Sequence, residues 1–109
     1  MADWDVMFDR LEDQEGRPVL AVAGEIDLAV AARLAQELET LVERAAPAGV
    51  VDLSSVGFMD SSGVRELLKG KRAAELQSKV LVLRTPSEAC RHVLKVSGAW
   101  TEFVIEDAP

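Results

Sequence analysis

One cysteine, one histidine, few bases and no long apolar run: each scarcity in this chain of 109 residues removes a class of function. Cys90 has no second cysteine to pair with, so no intramolecular disulfide can form, and it reads as a small apolar residue packed on a helix. A lone unpaired thiol suits a reducing cytoplasm, the expected location. His92 is the only imidazole, the carboxylates are scattered, and no calcium-loop spacing occurs, so neither a metal nor a cofactor is expected. Twelve Lys and Arg face nineteen Asp and Glu, for a net charge of −7, which argues against binding a nucleic-acid backbone. No apolar run approaches the ~20 residues of a membrane span, and "MADWDVMFDR" has neither a basic start nor a long apolar stretch, so no membrane partner and no signal peptide are expected.

What is present describes one globular domain, expected to span residues 1–109. Hydrophobic residues make up 49% of the chain and charged ones 28%, and a chain of this length buries roughly two-thirds of its unfolded surface. The charge is uneven: residues 1–43 carry −8, residues 44–95 carry +4, and the last fourteen carry −3. Such a field can orient a protein partner, and it is equally compatible with a solvated surface that has none.

Trp4, Val6 and Phe8 alternate with Asp5, Met7 and Asp9, as in a strand with one buried face. "EDQEGRP" reads as a turn, and "VLAVAG" (19–24) as a strand covered on both faces, the two strands forming an antiparallel hairpin. Val30, Leu34, Leu38, Leu41 and Val42 make the stripe of a first helix that "APAG" (46–49) ends. Val50, Val51 and Leu53 begin a third strand. Val64, Leu67 and Leu68 open a second helix running toward Leu76, with Gly70 inside it either for close packing or by tolerance. "KVLVLR" (79–84) is a fourth strand. Thr85 to Glu88 fits a capping box with Pro86 at the first helical position, and the third helix turns Cys90, Val93 and Leu94 inward before Gly98 ends it. "FVI" (103–105) is a short last strand.

The order β-β-α-β-α-β-α-(β) implies an α/β fold: a small, mixed, mostly parallel sheet of four to five strands with packed helices. Parallel strands two and three end on one edge, which brings "GEID" (24–27) and "DSSG" (60–63) to the same side, where open α/β sheets bind their ligands.

The two serines behind Asp60 admit several roles. A serine nucleophile needs a base, and "DSSG" lacks the glycines that flank the serine of a nucleophile elbow, so no catalytic residue and no enzyme are expected. One glycine and no adjacent lysine do not make a phosphate loop. Two readings stay open. Asp and Ser at a strand-to-helix turn can simply cap the helix. Alternatively a serine there is a switch, because a phosphate is tolerated at a helix amino terminus while adding roughly two negative charges to the surface.

"GEIDLAVAARLAQEL" (24–38), "VVDLSSVGFMDSSGVRELL" (50–68) and "KVLVLRTPSEACRHVLKVSGAWTEFVI" (79–105), in this order, resemble the STAS domain family and, within it, the bacterial anti-sigma factor antagonists. The resemblance implies a cytoplasmic partner switch. In that family the unphosphorylated antagonist binds an anti-sigma factor that is also a serine kinase, which releases the sigma factor for transcription. The kinase phosphorylates the first serine of the loop, matching Ser61 (Ser62 being the second choice), and a PP2C-type phosphatase reverses it. Asp27, Asp60, Ser61, Ser62, Gly63 and Val64 then correspond to the partner-binding stretch. The chain departs from the family in carrying Arg65 and Glu66 where small or apolar residues are common, and "LQSK" (76–79) where a glycine pair often precedes strand four. Other family members imply a second reading, a non-switching adaptor subunit of a stress-sensing or lipid-transport assembly.

Overall fold

The computed structural model describes residues 6–107, and the expectation for Trp4 and Asp5 lies outside them. Its elements run β1 (Val6–Glu12), β2 (Pro18–Ile26), α1 (Ala31–Arg44), β3 (Ala48–Met59), α2 (Ser61–Leu76), β4 (Val80–Arg84), α3 (Glu88–Val96), a single 3-10 turn (Trp100–Glu102) and β5 (Val104–Glu106). The strands lie in sequence order in one sheet, with β1 antiparallel to β2 and the rest parallel. The mixed α/β sheet expected from the sequence is the one observed, with five strands.

Side-chain parity sorts the sheet into two faces. Leu20 and Val22 of β2, Val51 and Leu53 of β3, and Leu81 and Leu83 of β4 meet Leu34 and Leu38 of α1, Leu67 of α2 and Leu94 of α3 in one core. Cys90 is fully buried there, and burial pushes its thiol up against the opposing hydrogen bonds of Ser87. Residues of the opposite parity, Val19, Val50 and Val82, form a small cluster that no helix joins.

That second face is closed by charge. The β1–β2 turn carries Asp13 and Arg17, and these meet Arg84 on β4 and Glu106 on β5. Arg17 Nη2 lies 3.1 Å from Glu106 Oε1, and Arg84 Nη2 lies 2.9 Å from Asp13 Oδ2. A turn between the first two strands that touches the fourth and fifth must pass over the third. The apolar run in β2 is thus fully covered on the helix side, while on the other face Val19 is buried and Ala21 and Ala23 are half-buried, so the two-sided cover that its composition implies is only partial.

The helix ends show where local chemistry decides. Gly98 (φ +79°) follows α3, with its N–H bonded to Lys95 O and that of Ala99 to Leu94 O. This is the glycine-terminated stop read from the sequence. α2 ends with the same pair of bonds, from Ser78 to Glu75 O and Lys79 to Ala74 O, but Ser78 takes the left-handed position (φ 59°) that glycine would fill without strain. At the start of α3 the sequence reading is two positions off. Ser87, not Thr85, is the cap; its hydroxyl accepts from Cys90 N at 3.2 Å, and Pro86 precedes the cap instead of opening the helix. Thr85 is unavailable because its backbone, at φ 44°, turns the chain out of β4.

Gly70 passes Leu38 and Leu81 at a distance that leaves room for a methyl group: a Cβ at this position would stand 3.5 Å from Leu81 Cδ2 and 3.6 Å from Leu38 Cβ. Tolerance, not tight packing, explains it, so Gly70→Ala should raise stability in urea denaturation by up to about 1 kcal/mol. Equal or lower stability would contradict this. The ion network generates a pH prediction. Burial raises the Asp13 carboxyl, but the N–H of Arg17 and the guanidinium groups of Arg84 and Arg17 outweigh it and hold it well below the usual range. Arg17 and Arg84 lower Glu106 in the same way. Depressed carboxyls stabilise the fold above their unfolded values, about 3.9 for Asp and 4.3 for Glu, and that stability is lost as pH falls through the depressed values. Asp13→Asn should lower stability at neutral pH and flatten the acid limb of a stability-versus-pH curve; an acid limb unchanged in slope would contradict the assignment.

Candidate functional site

β2 and β3 end together on one edge of the sheet, and the backbone ties them: Asp60 N–H donates to Ile26 O at 3.1 Å. "GEID" and "DSSG" therefore meet at the edge the topology assigned to them. Asp60 is extended (φ −106°, ψ −173°) and caps α2, its Oδ1 accepting from Ser62 N–H at 2.9 Å. The Ser62 hydroxyl donates to the same oxygen. Asp60 O then accepts from Gly63 N–H at 3.1 Å and begins the helical ladder.

The two serines stand in different surroundings. Ser62 is buried and spends its hydroxyl on the cap. Ser61, at the first helical position, is exposed, and its hydroxyl has no hydrogen-bond partner among the described residues. Ser62, Gly63 and Val64, grouped with the contact residues in the sequence, are all buried and support the loop from within. The reason is visible at Gly63, where a Cβ would stand 2.6 Å from Met59 Cγ and 2.9 Å from Ile26 Cγ2. The start of α2 is pressed onto the ends of β2 and β3, and only the outward-facing side chain of that turn stays at the surface.

Asp27 is half-buried. Its backbone carbonyl accepts from Val30 N–H at 3.1 Å, while Oδ1 is buried without a hydrogen-bond partner among the described residues. Two apolar residues at this edge escaped the sequence reading: Leu28, 73% exposed, and Phe58, 46% exposed. Phe58 was not detectable, since strict alternation would turn it inward with Val56, whereas a register shift between β2 and β3 at this point turns Met59 inward instead. His92 is exposed on α3 and shares no element with the serines. No group of acids, cysteines and histidine among the described residues could hold a metal ion, and no described helix is long and apolar enough to cross a membrane.

The family model described as "Mlab, STAS domain" matches residues 10–105. The chain belongs to the STAS domain family. Solved STAS structures superpose on it closely. An anti-sigma factor antagonist from Mycobacterium paratuberculosis is 28% identical, with a TM-score of 0.82 over 96% of this chain and 88% of that one. The anti-sigma factor antagonist SpoIIAA in its unphosphorylated form is 25% identical, with a TM-score of 0.76 over 94% of this chain and 89% of that one. The Bacillus cell fate determinant SpoIIAA in its phosphorylated form, also 25% identical, has a TM-score of 0.71 over 94% of this chain and 92% of that one.

This STAS domain should respond sharply to one methyl group. Gly63→Ala adds helix propensity but overpacks Met59 and Ile26, and the overpacking should win, lowering the unfolding free energy by about 1–2 kcal/mol. Unchanged or increased stability in chemical denaturation would show that the junction is looser than described.

Proposed function

We propose that this protein is an anti-sigma factor antagonist whose docking on an anti-sigma factor serine kinase is switched off by phosphorylation of Ser61. The observation that carries the reading is the free, exposed hydroxyl of Ser61 beside a serine already committed to the cap. A kinase would transfer the γ-phosphoryl group of ATP to Ser61 Oγ: the bond from phosphorus to ADP breaks as the new one forms, and the serine proton is lost. A PP2C-type phosphatase would hydrolyse the ester and restore the hydroxyl. The protein itself performs no chemistry in this scheme, and the setting is the bacterial cytoplasm.

Electrostatics supplies the switch. The phosphate adds roughly two negative charges at a helix start that tolerates them, so the host fold is kept. The docked partner must instead desolvate a dianion next to Asp60, on the sheet edge that also carries Asp27, and each ~1.4 kcal/mol of that penalty weakens binding tenfold. In the unmodified state the exposed Leu28 and Phe58 offer apolar contact. The alternative, a non-switching adaptor in a larger assembly, leaves the free hydroxyl of Ser61 without a role.

Incubation with candidate anti-sigma kinases of its own genome and ATP should place phosphate on Ser61, mapped by mass spectrometry. Ser61→Asp should weaken the kinase complex by more than about tenfold in calorimetry, while Ser61→Ala should leave it intact. Phosphate found only elsewhere, or equal binding by both variants, would overturn the proposal.

A further inference from the structure

A concavity of about 400 Å³ runs down α2 from Ser61. Arg65, Lys69 and Arg72 of α2 line it together with Ser97 and Ala99 from the turn after α3, and Leu68 and Val64 contribute apolar surface. Ser61, Arg65, Leu68 and Arg72 fall on one helical stripe at spacings of three and four. Val96, the residue before Ser97, is 75% exposed.

The charges here are unusual for this molecule. Acids outnumber bases nineteen to twelve, and most other arginines are engaged: Arg10 with Glu37, Arg17 and Arg84 in the network, Arg91 with Asp107. Arg65 and Arg72 have no ion-pair or hydrogen-bond partner among the described residues. Lys69 reaches only Glu66, at 3.6 Å. A local cationic groove with an apolar lining has been left open on a protein of net charge −7.

We propose that this groove receives an acidic, partly apolar segment of the protein that docks at Ser61. The proposal rests on the docking reading above and names the chemistry of the partner. Charge complementarity selects an acidic occupant, and the overall negative charge disfavours a polyanion such as nucleic acid, which would meet repulsion outside this stripe. The groove begins at Ser61, so an occupant that fills it passes the hydroxyl. A phosphate there would repel an acidic chain and also compete for Arg65, one turn down the helix. Partner discrimination and switching thus share one surface, and Arg65, which departs from the usual family residue, is the side chain that joins them.

The probe is a labelled synthetic peptide of repeated Glu-Glu-Leu triplets, with a Lys-Lys-Leu counterpart, duplex DNA and anionic phosphatidylglycerol vesicles alongside. The acidic peptide should shift amide resonances over residues 61–72 and 97–99. The double variant Arg65→Glu/Arg72→Glu should bind it at least about tenfold more weakly, while Arg44→Glu, at an exposed arginine on α1, should bind it normally. Both sites are exposed, and a retained melting temperature separates lost binding from lost fold. No binding of the acidic peptide, shifts confined to other surfaces, equal binding by the double variant, or tighter binding of the basic peptide, DNA or vesicles would each overturn the proposal. None of these measurements involves phosphate, so a failure here leaves the Ser61 switch standing, and a failure of that switch leaves the groove.

Discussion

The close seating of the first turn of α2 on the ends of β2 and β3 is the constraint from which the site follows. Gly63 lets the helix come within van der Waals distance of Met59 and Ile26, and the Asp60 N–H bond to Ile26 O fixes the height of the loop. With the helix start held there, Asp60 must cap it and Ser62 must face inward. Ser61 is the residue left over. Its exposure is a consequence of the packing of its neighbours, and that packing fixes the position of a surface hydroxyl without burying it.

The opposite face of the sheet solves a different problem. Three valines of β2, β3 and β4 need cover that no helix supplies, and the β1–β2 turn provides it by crossing the sheet. Asp13, Arg17, Arg84 and Glu106 hold the turn in place. A network that shares charges among four side chains retains more of its Coulombic energy than isolated surface pairs do, since each group already ordered serves two partners. The scaffold is thus fastened on both sides, by apolar packing under the helices and by charge beneath the turn, and the edge bearing Ser61 lies between them.

Much of this was legible in the chain. Period-two and period-3.6 patterns marked the strands and helices, and the alternation of strand with helix brought "GEID" and "DSSG" to one edge. Gly98 announced its helix stop because only a left-handed residue suits that position. Other features depended on three-dimensional context. Which of Ser61 and Ser62 is buried turns on which side of the helix faces Met59, and both residues look alike in sequence. The shift of the α3 cap from Thr85 to Ser87 depends on where β4 releases the chain. The ion network joins Asp13 and Arg17 to Arg84 and Glu106, residues far apart along the chain, which no local pattern encodes. Ser78 shows the limit from the other side: a serine occupies a glycine conformation because the bonds to Ala74 and Glu75 close the helix regardless.

The proposed switch requires that a covalent charge at position 61 alter the surface and leave the host unchanged. The most direct measurement is a comparison of amide nuclear magnetic resonance spectra of the unmodified protein and of protein carrying phosphoserine installed at position 61 during translation. The account predicts shifts confined to the edge formed by the ends of β2 and β3 and the first turns of α2, with the strands and α1 unmoved. Shifts spread through the sheet, or loss of dispersed resonances, would show that the modification reshapes the scaffold and would contradict the central claim.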